Sequence, residues 1–248
     1  MPFAIRKSHI STSEQLKILK EILGNKAYIL IFDMDGTLTE KTEPKCIKLI
    51  LKAIKGLYGM DIYKKARKVM SENEEKLLGK PDFEMIKSMS IYLKNVKNSV
   101  KIDYKEVSKL YRALLKANLH KIYNERALMP YASAFIKKAK NDFCIVSSAL
   151  AMQIEKINKV LLRKTGKKAR FIVSYEMTKR HKPFPDPYLK AKEKLKRLGY
   201  KAGVVFEDSN NGVKAAKKAG FKVIKIGKKK GKYNLTWKQI LSYNFLDS

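Results

Sequence analysis

The chain has 248 residues, and its 45% of hydrophobic and 31% of charged residues indicate a folded protein with a buried core, not a disordered tail. Its 55 basic against 23 acidic residues give a formal net charge of +32, which would attract nucleic acid as well as small anionic substrates. No apolar run reaches the roughly 18 residues of a membrane span, and the first residues lack a secretory apolar region, so we expect a cytoplasmic protein without membrane association.

The first predicted element is a helix close to the N-terminus. Ser11 and Glu14 form a capping-box pattern, in which each side chain bonds the backbone amide of the other residue. Leu16 and Leu19 follow at helical spacing. We therefore expect residues 1–26 to form a helical leader that packs on the rest of the protein.

Five short apolar runs predict the strands of a parallel sheet. They are nearly continuous in Ile, Val and Phe, as expected for strands that are buried on both faces. Helical patterns separate them, and this alternation predicts an α/β fold with a doubly wound parallel sheet. The five runs are Ala27–Phe32, Phe143–Val146, Arg170–Val173, Gly203–Phe206 and Phe221–Ile226.

Start and stop signals mark two of the helices between the later strands. Gly166 is predicted to end the helix that follows Ser148. Asp186 is predicted to be the N-cap of a helix whose first residue is Pro187 and which ends near Leu198.

The stretch between the first two strands has helical but no strong strand patterns. Apolar residues between Ile47 and Leu57 fit one helix face, which Gly59 is expected to end. The stretch is too long for an ordinary crossover connection. We therefore predict a helical cap domain over residues 44–126, inserted into an α/β core formed by residues 27–43 and 127–248.

Two carboxylates follow the first predicted strand. Asp33 and Asp35 come directly after Phe32, and Gly36 permits a tight turn away from the sheet. Ligands of doubly wound sheets bind beyond the carboxyl ends of the strands, where one carboxylate could attack phosphorus while the other moves a proton. An Asp-x-Asp-Gly turn could also bind calcium or only shape a loop, so this segment alone leaves the choice open.

Later strand ends carry the other groups that phosphoryl transfer needs. Ser147 and Ser148 precede a helix, where hydroxyls and helix N-terminal amides can hold phosphate or simply cap the helix. Lys182 lies in a proline-rich segment and could neutralise a phosphate and an attacking carboxylate together. Glu207 and Asp208 follow the fourth strand and offer hard oxygen ligands for Mg²⁺. The whole set, in this order, predicts phosphoryl transfer.

These motifs resemble those of the haloacid dehalogenase superfamily, in its branch of β-phosphoglucomutase-like and phosphoglycolate phosphatase-like enzymes with a helical cap. The resemblance covers nearly the whole chain after the leader. Within the predicted cap, Gly79 and Lys80 resemble a loop that faces the active site. The segments that carry the resemblance in the core are Phe32–Leu38, Val146–Ser148, Lys182–Tyr188 and Phe206–Gly212.

The resemblance implies a role for each matched residue. Asp33 would attack phosphorus and carry an aspartyl-phosphate, while Asp35 would protonate the leaving oxygen and then activate water. Ser147, with Ser148 beside it, and Lys182 would hold the phosphoryl group. The residues implied to hold or support Mg²⁺ are Asp33, the backbone carbonyl of Asp35, Asp208 and, in a supporting role, Glu207.

The predicted function is Mg²⁺-dependent hydrolysis of a small organic phosphate, such as a phosphosugar, phosphoglycolate or a nucleoside monophosphate. A phosphosugar mutase is an alternative, because an aspartyl-phosphate can pass to a sugar hydroxyl as well as to water. A nucleic-acid-binding protein on the same scaffold is a further alternative, which only the charge of +32 supports. The lysines are spread along the chain without an aromatic-rich RNA-binding signature, which indicates lysine-covered helix faces and not a nucleic-acid interface. The intact set of five catalytic positions favours an enzyme.

Overall fold

The computed structural model describes residues 11–77, 80–96, 101–229 and 231–242. Residue contacts divide the chain into two units, one formed by Met1–Glu40 with Glu125–Ser248 and the other by Lys41–Asn124. The described helices are α1 (Thr12–Ile22), α2 (Glu43–Glu72), α3 (Glu74–Leu77), α4 (Asp82–Lys94), α5 (Tyr104–Ile122), α6 (Pro130–Lys138), α7 (Ala151–Thr165), α8 (Asp186–Arg197), α9 (Asn210–Lys218) and α10 (Trp237–Ser242), with short 3₁₀ turns at Glu125–Ala127 and Tyr175–Met177.

The first unit is built on a parallel sheet, as predicted. Its strands have the order β3–β2–β1–β4–β5, which changes direction between β1 and β4. In doubly wound sheets, such a switch point is the place where ligands bind. The strands are β1 (Tyr28–Phe32), β2 (Phe143–Val146), β3 (Ile172–Val173), β4 (Ala202–Glu207) and β5 (Lys222–Lys225), so each of the five predicted strands is confirmed.

The register of the central strands brings their carboxyl ends to one level. Phe32 of β1 is paired with Ile145 of β2 and with Phe206 of β4. The amide of Asp33 donates a hydrogen bond to the carbonyl of Phe206 over 3.0 Å, so the pairing with β4 extends to the first residue beyond β1. Side chains that follow these strands are therefore held at a common edge.

One predicted helix boundary needs a correction, and two are confirmed. Helix α8 starts at Asp186 with Pro185 at the N-cap, so the prediction that Asp186 is the N-cap is wrong by one residue. The Asp186 carboxylate instead accepts a hydrogen bond from Nε of Arg180 over 3.0 Å. Gly59 interrupts the helical backbone with φ of +79° and ψ of −175°, so the span Glu43–Glu72 consists of two helical pieces that meet at a kink, and the predicted helix end at Gly59 is confirmed. The predicted end of α7 at Gly166 is confirmed.

The second unit consists of helices α2 to α5, and its described residues contain no strand. Tyr111 of α5 is buried and its hydroxyl donates to the carboxylate of Asp82 at the start of α4. The hydroxyls of Thr42 and Tyr123, at the two ends of the unit, lie 3.1 Å apart. Within the described part of the chain, no helix is long and apolar enough to cross a membrane.

Helix α1 is anchored to the first unit by polar contacts. Its capping box between Ser11 and Glu14 is confirmed. The buried side chain of Gln15 accepts a hydrogen bond from the amide of Lys225 in β5 over 2.8 Å. At the other end of α1, the buried Asn141 amide donates to three carbonyls, those of Ile22, Asn25 and Tyr28, and its oxygen accepts from the amide of Gly24. Asn141 therefore joins the end of α1 to the start of β1.

We expect Asn141→Ala to lower the free energy of unfolding by about 2–3 kcal/mol, because it leaves several buried backbone groups without their partner. Urea denaturation can be followed by the emission of Trp237, the only tryptophan of the chain, which lies in the same unit. The control is Asn25→Ala, which removes an exposed side chain bonded only two residues away and should cost about 0.5 kcal/mol. Equal losses in the two variants would contradict the anchoring role of Asn141.

Candidate active site

A tight turn carries Asp33 and Asp35 away from the end of β1. The carbonyl of Met34 accepts hydrogen bonds from the amides of Leu38 and Thr39, both over 2.9 Å, and this closes the turn. Gly36 has a left-handed backbone with φ of +83°. A Cβ atom at Gly36 would lie 2.2 Å from Oδ2 of Asp208, so the turn approaches Asp208 more closely than any other residue type would allow.

A buried ammonium group lies between two carboxylates at the centre of this edge. Nζ of Lys182 is 2.6 Å from Oδ1 of Asp33 and 2.6 Å from Oε1 of Glu207. It also donates to the carbonyl of Val146, at the end of β2, over 3.3 Å. The Lys182 side chain is only 7% exposed, so these contacts lie away from solvent. Lys182 thereby links the ends of β1, β2 and β4.

The Glu207 carboxylate is fully buried and is held by several donors. Besides Lys182, the hydroxyl of Tyr188 donates to Oε1 over 3.3 Å. Oε2 accepts hydrogen bonds from the amide and the hydroxyl of Ser209 over 2.8 and 3.0 Å. Gly212 in the first turn of α9 leaves room for this carboxylate, since a Cβ atom there would lie 1.6 Å from Oε1. Glu207 is therefore fixed in place by its surroundings.

Burial and the neighbouring charges shift the proton affinities of this cluster. Burial raises the pKa of the Asp33 carboxyl well above its ordinary value, and the Lys182 ammonium only partly opposes that shift. Burial disfavours the charged form of Lys182, but Asp33 and Glu207 outweigh it and raise the pKa of Lys182 well above the ordinary value. These surroundings favour the charged form of Lys182, whereas burial favours the protonated form of Asp33, which further positive charge nearby would oppose.

The carboxylates of Asp33, Glu207 and Asp208 fit a hard divalent cation. Each offers an oxygen, and these three oxygens lie within 4.8 Å of one another. Three carboxylates against one lysine leave excess negative charge, which Mg²⁺ would balance. Both oxygens of Glu207 already accept hydrogen bonds within the protein, which suits a supporting role beside such an ion.

The other predicted site residues of the first unit directly follow β2 or lie in the turn after β1. Ser147 is buried directly after Val146, and its hydroxyl oxygen accepts from the amide of Ala149 over 3.1 Å. Ser148, the next residue, is half-buried. Asp35 is half-buried in the turn after β1, where its Oδ1 accepts from the hydroxyl of Thr39 over 3.4 Å.

The predicted cap loop is described only in part. Gly79 lies outside the described residues. Lys80 belongs to the second unit, where its ammonium donates to the hydroxyl of Ser88 over 2.8 Å.

Three residues around the site have no predicted role. Tyr188 and Gly212 lie within the motif segments Lys182–Tyr188 and Phe206–Gly212, and the structure places both against Glu207. Trp237 was not considered at all, yet its indole N–H donates to the carbonyl of Thr37 in the turn after β1 over 2.8 Å. The available signals were weak: a glycine at the start of a helix and a single tryptophan in a lysine-rich segment.

Comparison with known proteins gives a consistent result. The family model of haloacid dehalogenase-like hydrolases matches residues 29–220. A curated relative from Thermotoga maritima, named phosphorylated carbohydrates phosphatase, is 29% identical over 199 residues, which are 79% of this chain and 82% of the relative.

Solved structures show the same fold. The crystal structure of CbbY from Rhodobacter sphaeroides in complex with phosphate has a TM-score of 0.60 at 23% identity, covering 84% of this chain and 88% of that one. A β-phosphoglucomutase from Clostridium difficile has a TM-score of 0.52 at 17% identity, covering 86% of each chain. With a family model that matches most of its length and these neighbours in fold, the chain belongs to the haloacid dehalogenase-like hydrolases, as its motifs indicated.

Proposed function

We propose that this hydrolase is a Mg²⁺-dependent phosphatase that cleaves small phosphate monoesters through an aspartyl-phosphate, with phosphorylated sugars as the substrate class. The observation that carries the proposal is the buried contact of Lys182 with both Asp33 and Glu207, over 2.6 Å each, at the switch point of the sheet. The phosphorylated carbohydrates phosphatase that is similar to this chain supports the choice of sugars.

In the first step, a carboxylate oxygen of Asp33 attacks phosphorus and the bond to the sugar oxygen breaks. Asp35 gives its proton to the leaving oxygen, so the sugar departs as a neutral alcohol. The turn after β1 supports these two roles, because Asp33 is buried against Lys182 while the side chain of Asp35 is half-buried.

In the second step, Asp35 takes a proton from water, and the water oxygen attacks the phosphorus of the aspartyl-phosphate. The acyl-phosphate bond breaks and Asp33 is restored as a carboxylate, with inorganic phosphate as the product. Asp35 ends the cycle protonated, as it began.

The chain's own cation and hydroxyl would stabilise the charge that develops on the phosphoryl oxygens. Lys182 is held by Glu207, so it need not reorganise when charge shifts from Asp33 to the phosphoryl group. Ser147 lies one residue beyond the carbonyl that Lys182 contacts, at the same edge of the sheet. Asp33 and Asp208, with the carbonyl of Asp35, would hold Mg²⁺, which supplies charge neutralisation and keeps Asp33 ionised.

We expect Asp33→Asn to lower Mg²⁺-dependent hydrolysis of an aryl phosphate by at least about 10³-fold, because an amide cannot act as the nucleophile. The rate of phosphate release is measured, and circular dichroism confirms that the variant is folded. Activity at the wild-type level would contradict the proposal.

A separate assay of the wild-type protein distinguishes a phosphatase from a mutase. With a hexose 1-phosphate as substrate, an isomeric sugar phosphate in place of free phosphate would identify a mutase.

We expect Gly212→Ala to lower kcat/KM by about 10²-fold, because the new methyl group displaces the Glu207 carboxylate and with it Lys182. The matched control is Gly56→Ala in α2, where a methyl group would make an ordinary 3.6 Å contact with Leu110 and should leave kcat/KM unchanged. A folded Gly212→Ala variant with normal kcat/KM would show that the position of Glu207 does not matter for catalysis.

We expect Asp208→Asn to raise the Mg²⁺ concentration for half-maximal activity by at least about tenfold, since the loss of even an outer partner of a metal ligand has that effect. Mg²⁺ titration of the chelator-treated protein measures this. Asp142→Asn is the control, because it removes the same charge from an exposed carboxylate that bonds Tyr200 and Arg170. An equal rise in the Mg²⁺ concentration for half-maximal activity in both variants would indicate an effect of overall charge and not a metal site at Asp208.

A further inference from the structure

Helix α10 places one aromatic side chain behind the candidate active site. Trp237 is the first residue of this helix and the only tryptophan of the chain. Its side chain is nearly enclosed, with 4% of the residue exposed. No motif of the family resemblance includes Trp237, and the steps of phosphoryl transfer described above do not use it.

The indole N–H of Trp237 is bonded to the turn that carries the two aspartates. It donates to the carbonyl of Thr37 over 2.8 Å in a buried contact. Thr37 is itself fully buried, so its carbonyl cannot exchange this donor for water without exposing the turn. The hydrogen bond lies two residues after Asp35 and four after Asp33, within the same turn.

The indole ring also packs against the strand residues that precede the acidic side chains. It is stacked on Phe206, with ring centroids 5.5 Å apart and an interplanar angle of 15°. Its centroid lies 6.0 Å from that of Phe32. Phe32 directly precedes Asp33, and Phe206 directly precedes Glu207. The Trp237 side chain therefore contacts the last residue of β1, Phe206 near the end of β4, and the turn that follows β1.

We propose that Trp237 is a positioning residue for the nucleophile, through its N–H bond to Thr37 and its stacking behind Phe32 and Phe206. This inference rests on the proposed function, because the turn matters for catalysis only if Asp33 and Asp35 act as described. The ring supports the positions of Phe32 and Phe206 at the two strand ends. The N–H group holds the Thr37 carbonyl and so orients the turn after β1. A hydrophobic side chain without a donor would supply only the first of these.

The test separates the hydrogen bond from the packing. In one variant, 3-benzothienylalanine replaces Trp237, which keeps the shape of the ring but puts sulfur in the place of N–H. The second variant is Trp237→Phe. The packing control is Phe135→Leu, which shrinks the same aromatic cluster: Phe135 lies 5.5 Å from Trp237 and 5.7 Å from Phe206 between ring centroids. Each protein is assayed for kcat, KM and thermal midpoint.

We expect both Trp237 variants to lose about ten- to a hundredfold in kcat, the scale set by a misplacement of about 1 Å, with KM nearly unchanged. Phe135→Leu should lower the thermal midpoint but keep kcat. Hydrogen exchange of the amides of residues 34–39 should become faster in the Trp237 variants and stay unchanged in Phe135→Leu, because only the former release the Thr37 carbonyl.

Two results would overturn the positioning role. One is normal kcat and normal amide protection in the benzothienylalanine protein. The other is a loss of kcat in all three variants in proportion to their loss of thermal stability. That result would mean that Trp237 affects catalysis only through the packing of the aromatic cluster. If the wild-type protein releases no phosphate from any ester with Mg²⁺, the proposed function fails, while amide exchange in the turn still decides whether Trp237 holds it.

Discussion

The arrangement of the site depends on the buried contact of Lys182 with two carboxylates. An ammonium group in an apolar interior loses its hydration, and its attraction to Asp33 and Glu207 has to make up for that loss. Removing one partner of such a buried pair typically costs about 3–5 kcal/mol, because the other charge is left uncompensated. The positions of β1, β2 and β4 are therefore coupled to the chemistry: the same lysine that would face a phosphate also holds these three strand ends together.

The sequence predicts the sheet well because buried parallel strands are continuous apolar runs, and local composition is enough to recognise them. The sequence also singles out Asp33 and Asp208, which follow strand ends, and Lys182, which lies in a proline-rich segment. The network around Glu207 could not be predicted. Its partners Tyr188 and Ser209 lie on different elements, and the closeness of Gly212 to the carboxylate depends on how α9 leaves β4. Sequence patterns report on one segment at a time, whereas the contacts of Glu207 join residues from separate segments of the chain.

Aromatic packing explains why the two central strand ends stay in register. Phe32 and Phe206 are paired across β1 and β4, and their ring centroids are 4.8 Å apart. Trp237 of α10 packs against both rings of this pair. Rings of this size bury a large apolar area and restrict sliding of one strand against the other. Since Asp33 and Glu207 follow the two paired phenylalanines, the apolar layer fixes the spacing of the charged groups above it.

The charge of the whole chain and the charge of its site have opposite signs, and this bears on the need for a metal. A net charge of +32 attracts anionic substrates over a long range. At the site, however, Asp33, Glu207 and Asp208 cluster around a single lysine, so an arriving phosphate would meet carboxylates at short range. Burial already favours the protonated form of Asp33, which could not attack phosphorus. A divalent cation beside Asp33 and Asp208 would resolve both difficulties at once, because it keeps the nucleophile ionised and screens it from the phosphate it must approach.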